Sequence, residues 1–487
     1  MPALDLRPVI PALIVAVTGL LVLLVQAFTP KGGRAPAAPL SLFGLAGALV
    51  ALWLIPTATG CGACTPTTGG SVVADAFATF LQALILVVGI GVVLLSPSYL
   101  RAIGTDRGEY YTLVLFSIVG MLGLVSSVEL ISMFVALEIM SVALYALCGM
   151  RRDGVESQES AVKYFITGSF SSAFFLYGVA LFYGVSGSTL LARIAPAVTH
   201  PPPGMELLPI LGVGLIFVGF AFKVASVPFH AWAPDVYEGA PTTVTAFMAA
   251  GVKAAAMGAL LRVLGQALPG LADQWRPALA ALAVATMVLG NLGALAQRSV
   301  KRMLAYSSIA HAGYLLAALV AAREVAAEAV LFYLAAYAAV NLGGFGAMAA
   351  LARGGREPMT IADFAGLAER RPALAAALTV FLISLTGVPV SAGFVGKFYL
   401  FTAAVGGGYV GVAIVGVLSS VISAYYYLRV VVAMYMKEPP AGEDPWAPVG
   451  IGATVALSAS ALAVLYLGVF PGGLLAFARA AALSVLH

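Results

Sequence analysis

Residues 212–232 read GVGLIFVGFAFKVASVPFHAW, an apolar run that contains Lys223 and, five residues later, Pro228. A charged side chain near the centre of a bilayer costs at least about 2.5–3.5 kcal/mol, so it is rarely kept without a function. Proline removes a backbone donor and interrupts a helix. The stretch therefore predicts a membrane helix that is broken close to an intramembrane lysine.

A second stretch repeats this combination. Residues 382–401 read LISLTGVPVSAGFVGKFYLF, where Pro389 precedes Lys397 by eight residues. Irregular backbone is tolerated inside a membrane where it is buried in protein or lines a water-filled cavity. The alternative is that both prolines are ordinary, since proline is common in membrane helices. A lysine near each proline favours two broken helices that line a transport path.

The composition of the whole chain agrees with a membrane protein. Of its 487 residues, 61% are hydrophobic and 9% are charged, and the mean hydropathy is +1.02. Soluble domains carry about 25% charged residues. The net charge of +4 and the scattered basic residues do not suggest a nucleic-acid surface. Three cysteines provide no framework for a disulfide scaffold or for iron–sulfur clusters, and no glycine-rich nucleotide fingerprint is visible.

A window of about 20 apolar residues predicts an all-α polytopic membrane protein with fourteen spans. The predicted spans are Val9–Phe28, Leu40–Ile55, Asp75–Leu95, Tyr111–Ser126, Glu129–Met150, Ala161–Gly184, Leu208–Trp232, Pro241–Leu268, Pro277–Gln297, Met303–Ala322, Ala326–Ala352, Ala373–Ala404, Val410–Met436 and Pro448–Phe470. A cleaved signal peptide is an alternative for the first span, but Lys31 and Arg34 follow it, whereas a signal peptide carries its positive charge first.

The spacing of the two breaks predicts an internal repeat. They fall in spans seven and twelve, and an odd offset of five makes the second copy enter the membrane from the opposite face. Spans 4–8 and 9–13 therefore form two inverted five-helix repeats, an arrangement that marks a transport site. We divide the single membrane domain, 1–487, into N-terminal helices (1–110), a first repeat (111–268), a second repeat (277–436) and a last helix with its tail (448–487).

The basic residues predict the orientation. Sixteen fall in odd-numbered loops, four in even-numbered loops and two in the termini. The positive-inside rule places the odd loops in the cytoplasm and both termini outside.

Three further ionisable residues lie within predicted spans. Lys253 lies in TAFMAAGVKAAAMGALLRVLG, His311 in span ten, and Glu138 nine residues beyond Glu129, or about 13 Å along a helix. A buried lysine changes its proton affinity as a carboxylate approaches or withdraws, so this set is typical of a proton relay. The alternatives are that the lysines extend to the interface and that the histidine is a neutral core residue.

Two smaller features remain open in the sequence. His230, Asp235 and Glu238 follow the first break without a basic neighbour; we favour a turn and helix cap over a metal site, since their spacing matches no standard ligand motif. Cys61 and Cys64 could form a small disulfide or lie in a flexible loop.

Four segments resemble a known family. They are 160–189 (SAVKYFITGSFSSAFFLYGVALFYGVSGST), 229–247 (FHAWAPDVYEGAPTTVTAF), 301–314 (KRMLAYSSIAHAGY) and 385–401 (LTGVPVSAGFVGKFYLF). The chain resembles the antiporter-like membrane subunits of respiratory complex I, and most closely the N-type subunits. These are similar to subunits of multisubunit cation/proton antiporters and membrane-bound hydrogenases. The resemblance covers roughly spans three to thirteen.

The resemblance implies residue roles. Glu138 resembles the essential glutamate of span five, Lys223 its paired lysine, Lys253 the central connecting lysine and Lys397 the terminal lysine, with His311 on the polar axis between the last two. It implies a proton-translocating subunit of an NADH:quinone oxidoreductase in the bacterial inner membrane, packed against other membrane-arm subunits. NADH, FMN, iron–sulfur clusters and quinone would bind in partner subunits. A subunit of an antiporter or hydrogenase, or a purely structural subunit, is the alternative.

Overall fold

The computed structural model describes residues 6–29, 36–54, 70–321, 324–439 and 449–486, and the regular secondary structure of these residues is helical. The helices are α1 (Ile10–Phe28), α2 (Ala37–Leu54), α3 (Ala76–Ala102), α4 (Gly108–Ser126), α5 (Leu130–Cys148), α6 (Val155–Ser186), α7 (Leu191–Thr199), α8 (Leu207–Val224), α9 (Trp232–Gly239), α10 (Thr242–Phe247), α11 (Lys253–Gln266), α12 (Ala272–Leu295), α13 (Val300–Leu319), α14 (Glu324–Ala350), α15 (Leu367–Arg370), α16 (Pro372–Thr386), α17 (Ala392–Gly406), α18 (Val410–Met436), α19 (Ile451–Val469) and α20 (Gly472–Leu486).

The predicted all-helical membrane architecture is confirmed. Twelve helical stretches of the described residues are long and apolar enough to cross a bilayer. Predicted span ten corresponds to α13, and predicted span twelve to α16 and α17, which have 15 residues each. The count of fourteen and the two-fold relation of the repeats stay predictions.

Within the described residues, the loops that contact one another fall into two groups, as alternate crossing of a membrane requires. At one end, loops predicted as odd-numbered meet: Ser299 bridges to Thr360, and Arg151 donates to the Gly355 carbonyl at 2.9 Å. At the other end, even-numbered loops meet, with bridges joining residues 72 and 127 and residues 129 and 190. The pairs Lys31 and Arg34, and Cys61 and Cys64, lie outside the described residues.

The first predicted break is present in the seventh span. Helix α8 ends at Val224, and Ala225 takes a left-handed φ of 59°. The Ser226 N–H donates to the Ala221 carbonyl at 2.8 Å, which closes the last turn. The indole N–H of Trp232, at the start of α9, donates to the Phe222 carbonyl at 3.0 Å. The Ala225 N–H donates to the same carbonyl at 3.0 Å, so the second half of the span adds a second donor to the end of α8.

The second predicted break lies between α16 and α17. Helix α16 ends at Thr386, Gly387 follows with a φ of 90°, and Val390 has a φ of 71°. The two half-helices cross so closely that a Cβ on Gly393 would lie 1.9 Å from the Ser384 carbonyl oxygen. Glycine is therefore required at this crossing, and the Gly393 N–H donates to the Ser384 hydroxyl at 3.0 Å.

The span formed by α10 and α11, which bears Lys253, is also irregular. Helices α10 and α11 join through a π-helical turn, Met248–Val252, which ends directly before Lys253. The apolar part of this span is buried throughout, so it contacts protein on every side and no lipid. Single π turns inside α-helices are frequent at functional sites.

An ion pair that the sequence did not predict ties this span to α3. Arg262 lies inside the predicted span Pro241–Leu268, although the count of basic residues assigned it to an even-numbered loop. Its side chain is fully buried in α11 and binds the Asp75 carboxylate through two bonds of 2.7 and 3.0 Å. Arg262 also donates to the Val125 carbonyl, and Asp75 caps α3 by accepting from the Ala78 N–H. The pair neutralises two charges that could not be buried singly.

The chain also continues past the last predicted span as a helix. The tail expected after span fourteen forms α20, which packs on α3 and α14. Ser484 accepts from the Phe77 N–H at 3.0 Å, and Gln266 donates to the Val485 carbonyl at 3.2 Å.

The Asp75–Arg262 pair provides a stability test. Asp75→Asn keeps the helix cap but leaves Arg262 buried without a counter-charge, so we expect the free energy of unfolding to fall by about 3–5 kcal/mol, measured as a lower thermal midpoint. Asp75→Asn combined with Arg262→Met should recover most of that loss, because an apolar replacement removes both charges. Equal destabilisation of the single and double variants would contradict the role assigned to the charge pair.

Candidate functional site

The structure places Lys223 in the protein interior. Its side chain is 3% exposed, and its ammonium donates to the Ser141 hydroxyl of α5 at 2.7 Å. Glu138 lies one helical turn before Ser141 and accepts a hydrogen bond from Ser172 of α6. None of the ion pairs among the described residues joins Lys223 to Glu138. Glu138 and Ser141 therefore lie on one face of α5, and Ser141 is the direct partner of the lysine.

Aromatic rings surround the Lys223 ammonium. The Tyr145, Tyr164 and Phe222 ring centroids lie 5.5, 5.3 and 5.4 Å from its nitrogen. A cation above a ring face is attracted by the ring quadrupole, which partly replaces the lost hydration. The hydroxyls of Tyr145 and Tyr164 are buried and have no hydrogen-bond partner among the described residues. Gly168 makes room for the Tyr145 hydroxyl, since a Cβ there would lie 2.1 Å from it.

Lys253 follows the π-helical turn and points to α13. Its side chain is 2% exposed and donates to the hydroxyl of Ser308 at 2.6 Å and to the carbonyl of the same residue. The Tyr337 ring lies 5.2 Å from the ammonium, and the Tyr337 hydroxyl has no partner among the described residues. Lys253 thus depends on a single residue of α13 for its hydrogen bonds.

His311 lies on α13, three residues beyond Ser308, and is 1% exposed. Its Nδ1 is hydrogen-bonded to the Tyr333 hydroxyl, and its Nε2 lies 3.2 Å from the Tyr427 hydroxyl. The Tyr427 hydroxyl also bonds to Ser307. Both ring nitrogens therefore meet tyrosine hydroxyls rather than backbone groups, and the role of His311 as a proton shuttle stays a prediction.

Lys397 lies in the first half of α17, just after the second break. Its side chain is 4% exposed, and its ammonium donates to the Leu385 and Thr386 carbonyls at 2.7 and 3.1 Å. These carbonyls form the free C-terminal end of α16, which carries partial negative charge and favours a cation. The Tyr314 ring lies 4.9 Å from the ammonium.

The structure brings three of the five predicted relay residues, Lys253, His311 and Lys397, into one polar series and leaves Lys223 and Glu138 apart from it. Ser308, which binds Lys253, lies on the same face of α13 as His311, so Lys253 and His311 are neighbours. The Tyr314 ring lies between His311 and Lys397, and its centroid is 5.1 Å from that of the His311 ring. Lys223 belongs with Glu138 on the far side of an aromatic stack, in which Tyr164 and Trp232 lie 4.5 Å apart. The five residues Glu138, Lys223, Lys253, His311 and Lys397 therefore form one proton path only if protons pass this aromatic stack.

Sequence reasoning missed the hydroxyl groups that connect the charged residues. The missed residues are Ser141, Ser172, Tyr314, Tyr333, Tyr337 and Tyr427. Apolar helices use serine and tyrosine widely for packing, so a single sequence gives little reason to select them. The one usable signal was the run of three tyrosines at residues 425–427, in the predicted span thirteen, where the predicted second repeat lacks a buried charge.

The acidic residues after the first break form salt bridges with basic residues of other helices. Asp235 binds Lys163 of α6 at 2.6 Å and Arg302 of α13 at 2.7 Å, and Glu238 binds Arg302 at 2.9 Å. This segment forms the short helix α9 rather than a loop. Its acidic groups therefore dock the second half of span seven onto α6 and α13.

Comparison with known proteins identifies the family. Residues 127–423, more than half of the chain, match the family described as NADH:quinone oxidoreductase/Mrp antiporter, TM. The NADH-quinone oxidoreductase subunit N of Trichlorobacter lovleyi is 44% identical over 478 residues, which cover 98% of this chain and 97% of that protein. The subunit N of Chloroflexus aggregans is 43% identical over 475 residues, covering 96% of each.

Solved structures agree with this match. A chain of respiratory complex I from Thermus thermophilus superposes with a TM-score of 0.80 at 37% identity, covering 96% of this chain and 99% of that one. A chain of the Mrp complex from Dietzia shares the fold alone, with a TM-score of 0.85 at 22% identity. The chain therefore belongs to the antiporter-like membrane subunits of the NADH:quinone oxidoreductase/Mrp antiporter family. The predicted resemblance to subunit N of respiratory complex I is confirmed.

Proposed function

We propose that this chain translocates protons as the N-type subunit in the membrane arm of an NADH:quinone oxidoreductase. The observation that carries the proposal is that Lys223, Lys253 and Lys397 all point into the protein interior, at 2–4% exposure. Each ammonium meets a hydroxyl or carbonyl group there, and none extends to the membrane surface. Lysines that only tolerated the membrane would place their charges at the interface.

The contacts suit groups that gain and lose protons. A lysine bonded to one serine or to two carbonyls is only partly solvated, so a small change in its surroundings changes its affinity for a proton. Glu138 lies close enough to act on Lys223 through the shared face of α5, without a fixed ion pair that would lock both charges. A movement of α5 or α8 would therefore load or unload Lys223.

The proposed route runs through α13. Protons enter from the side with the basic loops towards Lys223 or Lys253, pass His311 and its two tyrosine hydroxyls, and leave near Lys397. The carbonyls that hold Lys397 stabilise its charged form, so release there requires the two half-helices of span twelve to shift. Redox chemistry in other subunits supplies the energy for such shifts.

Buried tyrosine hydroxyls support a hydrated path. Buried polar groups are nearly always hydrogen-bonded to protein or ordered water. The hydroxyls of Tyr145 and Tyr164 beside Lys223, and of Tyr337 beside Lys253, have no partner among the described residues. Water at these three points would satisfy them and extend the proton path around each lysine.

The family also suggests the setting. The chain is a translocase component that contains no redox group, with NADH, FMN, iron–sulfur clusters and quinone held by partner subunits. Neighbouring antiporter-like and small membrane subunits pack against it in a bacterial inner membrane, with both termini on the outer side.

A second candidate is a subunit of a cation/proton antiporter, which would keep the relay and change the partners. It rests on the fold shared with the Mrp complex, whereas the relatives at 40–46% identity are subunits N. The proteins that copurify with the chain distinguish the two candidates.

The relay is tested with Lys223→Met and Glu138→Gln in the reconstituted complex. Each removes one titrating group while keeping side-chain size, so we expect the number of protons pumped per NADH to fall at least about threefold while assembly is retained. Proton pumping is measured in proteoliposomes with a pH-sensitive dye, alongside quinone reductase activity. If both variants pump and reduce quinone as the unmodified complex does, the assignment is defeated.

The role of the hydroxyls is tested with Tyr427→Phe. The ring stays, but His311 and Ser307 lose a shared partner, and one lost hydrogen bond of about 1 kcal/mol corresponds to a roughly fivefold slower proton transfer. Tyr425→Phe is the matched control, since Tyr425 lies on the same helix and is 64% exposed. Equal pumping rates in the two variants would argue against a path through Tyr427.

A further inference from the structure

A second cluster of buried polar groups lies where the odd-numbered loops meet. Glu357, in the loop after α14, accepts hydrogen bonds from the Tyr99 hydroxyl at 2.6 Å and from the Thr242 hydroxyl. The Lys301 ammonium lies 3.6 Å from the same carboxylate and donates to the Ala240 carbonyl at 2.6 Å. The Lys301 side chain is 2% exposed and that of Glu357 is 10% exposed. None of these groups belongs to the relay described above.

We propose that Lys301 is a further proton-relay residue, which takes protons from the side of the basic loops and passes them to Lys253, with the ionised Glu357 as its counter-charge. This inference rests on the proposed function, because it assigns the entry to the same relay.

The position of Lys301 makes its protonation depend on the nearby carboxylate of Glu357. It is the second residue of α13, and the N-terminus of a helix carries partial positive charge that disfavours a cation. Its ammonium makes one short hydrogen bond, to a neutral carbonyl, and its only carboxylate contact among the described residues is longer than a hydrogen bond. A buried lysine held in this way loses its proton when the carboxylate moves by a small distance.

Glu357 is built to stay ionised. Burial raises the pKa of its carboxyl, but the charge of Lys301 and the hydrogen bonds from Thr242 and Tyr99 more than offset this and hold the pKa below its usual value. The proton in this pair is therefore carried by the lysine. The same carboxylate lies at the start of the span that bears Lys253, because it accepts from the hydroxyl of Thr242, the first residue of α10.

The spacing along α13 connects the pair to the relay. Lys301 and Ser308 are seven residues apart, which is about two turns or 10.5 Å on the same helix face. Ser308 is the residue that accepts both hydrogen bonds from Lys253. Two or three water molecules would bridge this distance. The loop that carries Glu357 is held by Arg151 and by the Ala102 carbonyl, both on the same side of the protein.

The variant Lys301→Arg distinguishes a lysine that only stabilises the structure from one that carries protons. Lys301→Arg keeps the positive charge and the contact with Glu357, but arginine does not deprotonate in proteins. We expect the complete complex carrying Lys301→Arg to assemble and to pump at least threefold fewer protons per NADH in proteoliposomes. Normal pumping by this variant overturns the inference.

A double variant covers the case in which arginine is too large for the site. Lys301→Met with Glu357→Gln removes both charges, and a neutral replacement of a buried ion pair is tolerated by most folds. A relay role predicts an assembled complex with low pumping, whereas a purely structural pair predicts normal pumping and overturns the inference. Lys437→Met, at an exposed lysine on the same side of the protein, is the control and should pump normally.

Lys253→Met, measured in parallel, separates this inference from the proposed function. If Lys253→Met pumps normally, the proposed relay fails as a whole. If Lys253→Met is defective and Lys301→Arg pumps normally, only the entry through Lys301 is wrong.

Discussion

The structure depends on one constraint, which is that every backbone polar group inside the hydrocarbon must find its partner within the protein. An unbroken helix meets it automatically, and two spans of this chain do not. At the first break the Trp232 indole binds the Phe222 carbonyl. At the second, the Lys397 ammonium binds the Leu385 and Thr386 carbonyls. Both breaks are therefore satisfied partly by side chains from the following half-helices, which reach back to carbonyl groups at the helix ends.

The same constraint explains where the lysines lie. A lysine inside the membrane needs groups that stabilise its charge. The protein interior offers carbonyls at helix breaks, serine hydroxyls and the faces of aromatic rings. Lys223 and Lys253 each meet one serine, on α5 and α13. The span that carries Lys253 is enclosed by protein on all sides, so its charge never contacts lipid. The packing of this central span thus separates the ionisable groups from the bilayer.

The sequence predicted the features that come from strong local signals. Apolar length, lysines inside apolar runs and prolines close to them predicted the helical membrane fold, the two breaks and the burial of Lys223. It could not predict features that depend on distant contacts. The exact break points follow from Ala225 and Gly387 rather than from the prolines, because a helix ends where the chain can take a left-handed turn. The ion pair of Arg262 could not be predicted, because its partner Asp75 lies 187 positions away in the sequence.

The dual position of Lys397 affects how any substitution there is interpreted. The residue is both an ionisable group and the bridge that joins the two halves of span twelve. Truncating it would remove a charge and at the same time release two carbonyls into an apolar interior. A defect seen after truncation would therefore mix impaired ion movement with local unravelling. Longer neutral or permanently charged side chains, which still reach the end of α16, are the replacements that would keep the two effects apart.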